Sequence, residues 1–283
     1  MTRRAYRPET LTEALRIRRE TGAVPFAGGT DLMVKHKRWT GLPPGFPRDV
    51  LFLSHLKELK GLEVREKTLV IGAGVTLAEL ARCPETPPLL REAVLSIAAP
   101  AIRNIATLAG NVCNASPAGD GTCALYALDA SVEVRSLEGP REIPVTQFIT
   151  GPGRTLLNED ELVVAIRVPL RPANVHLFRK VGTRKANALA KLSFAAVGEI
   201  KDGIANALSF SFGAVGPTVV RSTELEKRMA GRSLPELKGM IPSLLNDYGA
   251  LIVPIDDQRS TAAYRKQVVL NLLENFLREL VGG

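Results

Sequence analysis

The sequence predicts an α+β protein in two parts, and three observations carry that prediction. Across about the first 170 residues, short apolar strands alternate with short helical stretches and twice deliver glycine-rich, nearly uncharged segments. Pro169 and Pro172 then mark a change of character, and the expected domain boundary lies there. Beyond them come strand-like runs joined by a tight-turn dipeptide, followed by helices that end in a long amphipathic one.

In chain order, Thr10 and Glu13 form a capping-box pattern that opens a helix containing Leu15 and Ile17. Residues 24–27 read as a short strand that delivers the first glycine-rich segment, Ala27-Gly28-Gly29-Thr30-Asp31-Leu32, and a helix is expected over 31–37. Strand, glycine turn and helix in that order is the arrangement in which backbone N–H groups cradle a phosphate. Pro43, Pro44 and Pro47 mark a loop before a buried strand at 50–53. A second apolar strand at 69–74 ends in Gly72 and Gly74, and Thr76 with Glu79 gives another capping box before a short helix. A further helix is expected at 89–99.

The second glycine-rich segment follows as a loop: Thr107-Leu108-Ala109-Gly110-Asn111, running on through Asn114, Ser116, Gly119 and Asp120 to an Ala/Leu-rich helix that reaches Leu128. Residues 131–135 alternate as a half-buried strand, and 162–168 form another, closed by Pro169. After the boundary, 175–181, 192–200 and 204–212 read as strands, with Asp202-Gly203 as the hairpin turn. The last helix, 261–280, carries Tyr264, Val268, Leu272, Leu273, Phe276 and Leu280 as a core stripe.

Composition narrows the function. A net charge of +8 invites a nucleic-acid reading, but the basic residues are scattered and aromatics make up only 5%. Clustered cations interleaved with aromatics are missing, so the charge reads as a solvated surface, with an acidic protein partner as the other option. No apolar run reaches 18 residues and no apolar stretch follows the basic N-terminus, so neither a membrane span nor a signal peptide is expected and the cytoplasm is the expected location. Cys83, Cys113 and Cys123 have no CxxC spacing, so no iron–sulfur or zinc centre is expected within this chain. They read as buried small hydrophobes in a reducing compartment, with Cys113 set apart because it lies in the second segment. His36, His55 and His176 have no metal or triad spacing, and Trp39 is expected to pack.

The two glycine-rich segments carry the chemistry. Each offers backbone N–H groups with little side chain in the way, and Thr30, Asp31, Asn111, Asn114, Ser116 and Asp120 add small polar groups in apolar surroundings. That composition suits one pyrophosphate-containing ligand held from two sides. It matches neither the Rossmann fingerprint nor a P-loop, because no G-x-G-x-x-G with a following acidic residue and no Gly-Lys-Ser/Thr is present.

These two elements resemble the FAD-binding motifs of the flavoprotein (medium) subunits of molybdenum hydroxylases, the group of xanthine dehydrogenases, carbon monoxide dehydrogenases and related aromatic hydroxylases. The resemblance spans nearly the whole chain. It includes Ile102-Arg103-Asn104, the strand before Pro169, residues 180–185 with Ala190 and Lys191, and residues 213–217 with Arg221. It implies a two-subdomain FAD-binding fold of the p-cresol methylhydroxylase/vanillyl-alcohol oxidase type over 1–170 (about 1–55 and 56–170). A C-terminal domain over 171–283 would hold a three-stranded antiparallel sheet and helices.

By the same resemblance, the FAD pyrophosphate rests on Ala27, Gly28, Gly29, Thr30 and Asp31, with Pro25, Phe26 and Leu32 flanking. Thr107, Gly110, Asn111, Asn114, Ser116 and Asp120 reach the phosphates, ribose and adenosine side, and Ile102 joins the cofactor-binding set. Val163 and Lys180 fall at flavin-contacting positions. The alternatives set beside these roles are a helix N-cap for Asp120, which is compatible with ligand contact, and a solvated basic face for Lys180, beside Arg179 and Arg184. Two departures stand out. Ala109 occupies a usual glycine position and requires φ < 0 or accepted strain, and Cys113 replaces a more usual aliphatic or small residue.

The implied function is that of an electron-transfer subunit. A small partner subunit with [2Fe–2S] clusters feeds this FAD, a large partner holds the molybdenum–pterin centre, and the acceptor is NAD⁺, oxygen or a quinone. No catalytic residue is expected in this chain. Two alternatives stay open: a self-contained FAD-dependent oxidoreductase of the same fold, and a non-catalytic nucleotide-binding protein.

Overall fold

The computed structural model describes residues 3–282, so the first two residues of the basic N-terminal stretch lie outside the described residues. Thr10 caps the first helix, Leu11–Thr21, by accepting from the Glu13 N–H at 3.1 Å, and the Glu13 carboxylate turns back to the N–H of Glu9. Leu11, Ala14 and Leu15 bury one face of this helix against a three-stranded parallel sheet, in which Val50–Phe52 lies between Ala5–Tyr6 and Val24–Phe26. The helix expected at 31–37 is Thr30–Lys35. Trp39 corrects an expectation: the proline-rich loop carries it outward, 86% exposed, instead of packing it.

A five-stranded antiparallel sheet follows, ordered Leu62–Arg65, Thr68–Gly72, Leu162–Pro169, Ser131–Ser136, Gly139–Pro144. Val132 and Val134 point into its core while Ser131, Glu133 and Arg135 stay half-exposed, the alternation read from the sequence. Helices cover the apolar face. Leu77–Arg82 starts with the full Thr76/Glu79 capping box, and Pro88–Ser96 stops early because Ile97 turns extended and Ala98 adopts φ +48°.

The second glycine-rich segment, expected as a loop, folds as the helix Leu108–Asn114. Thr107 caps it through the Gly110 N–H at 3.0 Å, and Leu108, Ala109 and Val112 bury its inner face. Cap and apolar spacing together outweigh the helix penalty of one glycine, about 1 kcal/mol. Ala109 therefore sits in ordinary helical backbone without strain.

The C-terminal part is built on three long antiparallel strands, Val175–Val181, Leu192–Lys201 and Ile204–Gly213, with the two-residue strand Arg232–Ser233 added at one edge. Asp202 (φ +51°) and Gly203 (φ +75°) make the tight hairpin turn expected of them. Leu234–Leu251 and Ala262–Leu280 pack on this sheet around Phe194, Phe210, Phe212, Tyr248 and Phe276. The buried stripe of the last helix is Val269, Leu273, Phe276 and Leu277, rotated from the expected one, and Tyr264 is exposed.

The helix Asp120–Ala127 joins the two parts, and every one of its residues is buried. Ser211 Oγ donates to the Cys123 carbonyl at 2.6 Å, and the Ala214 N–H donates to the Pro117 carbonyl at 2.7 Å. Arg221 reaches across to Asp129 Oδ1 at 2.5 Å and the Tyr126 carbonyl while pairing with Glu226. The cysteines do not share one environment. Cys123 alone is buried as expected; Cys83 is partly exposed and donates to Glu85, and Cys113 is exposed, opening on a cavity. No described helix is long and apolar enough to cross a membrane.

Candidate cofactor cavity

A cavity of about 580 Å³ opens between the first glycine turn, the helix Leu108–Asn114 and the start of the C-terminal sheet. That volume lies within the usual range for small-molecule sites, about 300–1,000 Å³. Pro25, Ala27, Gly28, Gly29, Thr30, Asp31 and Leu32 line it on one side, and Ile102, Thr107, Gly110, Asn111, Asn114, Ser116 and Asp120 on another. Val163 and Lys180 complete the expected set.

Phe26 is the residue that the cavity leaves out. Its ring lies beneath the turn, 5.0 Å from the Phe52 ring and 6.3 Å from the Phe46 ring. That packing, with Gly29 set directly over the ring, takes up the Phe26 side chain, so Val24 and Pro25 line the cavity and Phe26 does not.

The two glycines of the turn are demanded for different reasons. A Cβ on Gly28 would lie 2.0 Å from the Ile105 carbonyl oxygen, so the backbone before the second segment presses directly on the turn. Gly29 has φ +70°, and a Cβ there would also strike the Phe26 ring at 2.1 Å. The N–H groups of the first turn of Thr30–Lys35 have no intrahelical acceptor and border the cavity. The side-chain-free turn and these uncommitted N–H groups fit a pyrophosphate.

Several polar side chains in the second wall are already engaged. Thr107 Oγ holds the Gly110 N–H, and Asn111 Oδ1 accepts from the Thr122 N–H at 3.3 Å, tying two helices together. Ser116 Oγ accepts from the Ala118 N–H at 3.3 Å. The Asp31 carboxyl and the Cys113 thiol open on the cavity, and both residues are exposed there. The protein packed around the cavity raises both above their ordinary values.

Asp120 and Lys180 form the charged centre. Gly119 is the N-cap of the following helix and Asp120 its first residue. Lys180 Nζ lies 2.6 Å from Asp120 Oδ2 and donates to the Ser96 carbonyl at 3.1 Å. Their side chains are 14% and 6% exposed, so Lys180 is not part of a solvated face. Asp120 Oδ1 is buried with no hydrogen-bond partner. Burial raises the Asp120 carboxyl, and the adjacent ammonium only partly opposes that shift.

The sequence reading missed other lining residues. Arg18 comes from the first helix, Lys35 from the far end of the glycine-turn helix, Leu157 from the approach to the central strand and Leu162 from its first position. Residues 187–190 come from the turn between two C-terminal strands, where Asn187 adopts φ +49° and Leu189 is 71% exposed. A left-handed asparagine in a turn leaves a weak signal; the rest leave none, since long-range folding alone brings them here.

Known proteins match this architecture. The family described as the FAD binding domain in molybdopterin dehydrogenase matches residues 1–171, and the CO dehydrogenase flavoprotein C-terminal domain matches residues 177–280. A putative xanthine dehydrogenase FAD-binding subunit of Escherichia coli (strain K12) is 29% identical over 289 residues, covering 98% of this chain and 96% of that protein. The nicotinate dehydrogenase FAD-subunit of Eubacterium barkeri is 29% identical over 296 residues, covering 98% and 97%. Among solved structures, a chain of reconstituted CO dehydrogenase from Oligotropha carboxidovorans superimposes with a TM-score of 0.90 at 24% identity, over 100% of this chain and 98% of that one. That likeness fixes the fold, and with the family match across most of the chain, this protein belongs to the FAD-binding medium subunits of the xanthine and CO dehydrogenase-type molybdenum hydroxylases.

Proposed function

We propose that FAD lies extended in this cavity, and that the subunit relays electrons from [2Fe–2S] clusters of a small partner subunit to an external acceptor such as NAD⁺, oxygen or a quinone. In this reading the substrate is oxidised at a molybdopterin-bearing large subunit. One observation carries the placement: both glycine-rich segments wall a single cavity, and the buried Lys180–Asp120 pair stands in its wall. Bound FAD supplies the redox chemistry. The chain's own residues bind and orient it. The glycine turn and the first N–H groups after it receive the pyrophosphate, and the wall of the helix Leu108–Asn114 excludes water.

Residues 1–170 then act as the cofactor-holding unit, while 171–283 contribute Lys180 and the turn at 187–190 to the same wall. Cytoplasmic assembly fits this role. The relatives are named for different substrates, xanthine and nicotinate, which supports assigning substrate choice to another subunit. The test is direct. The purified chain takes up FAD and shows oxidised-flavin absorption, and that flavin is reduced by substrate only when the partner subunits are present. A colourless chain that binds no FAD on titration refutes the placement. Flavin reduced by an organic substrate without partners points to a self-contained oxidoreductase instead.

A further inference from the structure

FAD has two chemically different halves, and the cavity has two different walls to receive them. One carries Ile102, Lys180 and Leu189 and is open, with Ile102 37% and Leu189 71% exposed. A ring that exchanges electrons with other molecules needs that open wall. The other carries Arg18, Val24, Leu157 and Leu162, all buried or half-buried.

Arg18 is the unusual group there. The charged side chains lining the cavity are Arg18, Lys35, Lys180, Asp31 and Asp120. Lys180 is neutralised by Asp120, and Lys35 is exposed. Arg18 makes no ion pair among the described residues, although it is half-buried. Its Nη1 donates to the Gly22 and Ala23 carbonyls at 3.1 and 2.8 Å, which fixes the plane of the guanidinium. Its Nε is buried with no partner. Of five N–H donors, two bonds secure the helix end and the rest remain uncommitted. Burial and the nearby Arg48 both disfavour its charge, and Glu159 and Asp160 only partly offset them. A fixed, under-compensated guanidinium in a cavity wall is suited to phosphate oxygens and to the face of a purine.

We propose that Arg18 recognises the adenosine-diphosphate half of the cofactor and makes this cavity select FAD over FMN. The inference rests on FAD occupying the cavity. The experiment titrates FAD, ADP and FMN into the apo form of the full chain, for wild type, Arg18→Leu and Arg18→Lys.

Arg18→Leu is expected to weaken FAD and ADP about tenfold to a hundredfold, the usual range for a hydrogen bond to a charged group, and to leave FMN within about twofold. Arg18→Lys recovers part of the ADP affinity. Unchanged ADP affinity in both variants, or equal losses for FAD and FMN, overturns the proposal and leaves Arg18 as a helix-end tie only. A wild type that binds no FAD overturns the cofactor placement and this inference together, whereas FAD binding indifferent to Arg18 overturns this inference alone. Should Arg18→Leu not fold, phenylglyoxal labelling of wild-type Arg18 decides: protection by ADP and not by FMN supports the proposal, and labelling unaffected by ADP overturns it.

Discussion

Replacing Lys180 by methionine removes the ammonium and keeps most of the side chain's volume. In the wild type, Asp120 Oδ2 is held by that ammonium at 2.6 Å while Oδ1 has no partner, and the carboxylate is 6% exposed. The variant therefore leaves a buried carboxylate with neither oxygen paired. Stranding one member of a buried ion pair costs about 3–5 kcal/mol. At roughly 2–4 °C per kcal/mol for a chain of this size class, the melting temperature of the apo chain falls by about 10 °C at pH 7.

The loss depends on pH in a definite direction. Burial already raises the Asp120 carboxyl in the folded protein, and losing the cation raises it further. Between the unfolded value, about 3.9, and the higher folded one, the folded state binds the extra proton. The variant's stability relative to wild type therefore falls as pH rises through that window and recovers toward pH 5. Thermal melts of both proteins at pH 5 and pH 7 measure it. Lys180→Met with Asp120→Asn should regain much of the loss, since no charge is then stranded. An unchanged melting temperature at pH 7, or the same drop at both pH values, refutes the reasoning.

Other consequences follow from the same geometry. Gly28→Ala must displace the Ile105 carbonyl, which lies 2.0 Å from the new Cβ, so FAD affinity and melting temperature are both expected to fall; a fully FAD-competent, unshifted variant shows that the two segments do not press together. Cys113 opens on the cavity, so FAD should protect it from iodoacetamide, while buried Cys123 stays unlabelled throughout; peptide mapping reads both, and labelling indifferent to FAD contradicts the placement. Glu161 is held below its ordinary value first by Arg141, at 2.6 and 2.7 Å, so its stabilising contribution is present above about pH 4.5 and lost as pH falls through the lowered folded value. Glu161→Gln should accordingly flatten the acid limb of a stability–pH profile, and an unchanged limb rejects that role.

Local chemistry was legible where a short stretch settles its own conformation. Thr76 with Glu79, Asp202 with Gly203 and the Gly28-Gly29 turn each declare their backbone in a few residues. The helix Leu108–Asn114 was not legible as one, because Gly110 and two asparagines favour a loop until the Thr107 cap and the buried face of Leu108, Ala109 and Val112 are counted together. Phe26 was drawn into the site by its place beside the motif, yet its ring packs against Phe46 and Phe52 beneath the turn. Nothing in the sequence singles out Arg18 on the first helix. Its role depends on where that helix packs, which is a property of the whole fold. The family motifs indicated which segments form the cavity, and only the tertiary structure shows that Asp120 and Lys180, 60 residues apart, are one charged unit.

The central claim is that both glycine-rich segments hold a single FAD. A crystal structure of the FAD-loaded subunit tests it most directly. It should show one extended dinucleotide running from the Gly28–Gly29 turn along Thr107 to Asp120, with Lys180 beside the cofactor. FAD bound elsewhere on the chain, or a cavity left empty in a protein that carries flavin, would contradict the account.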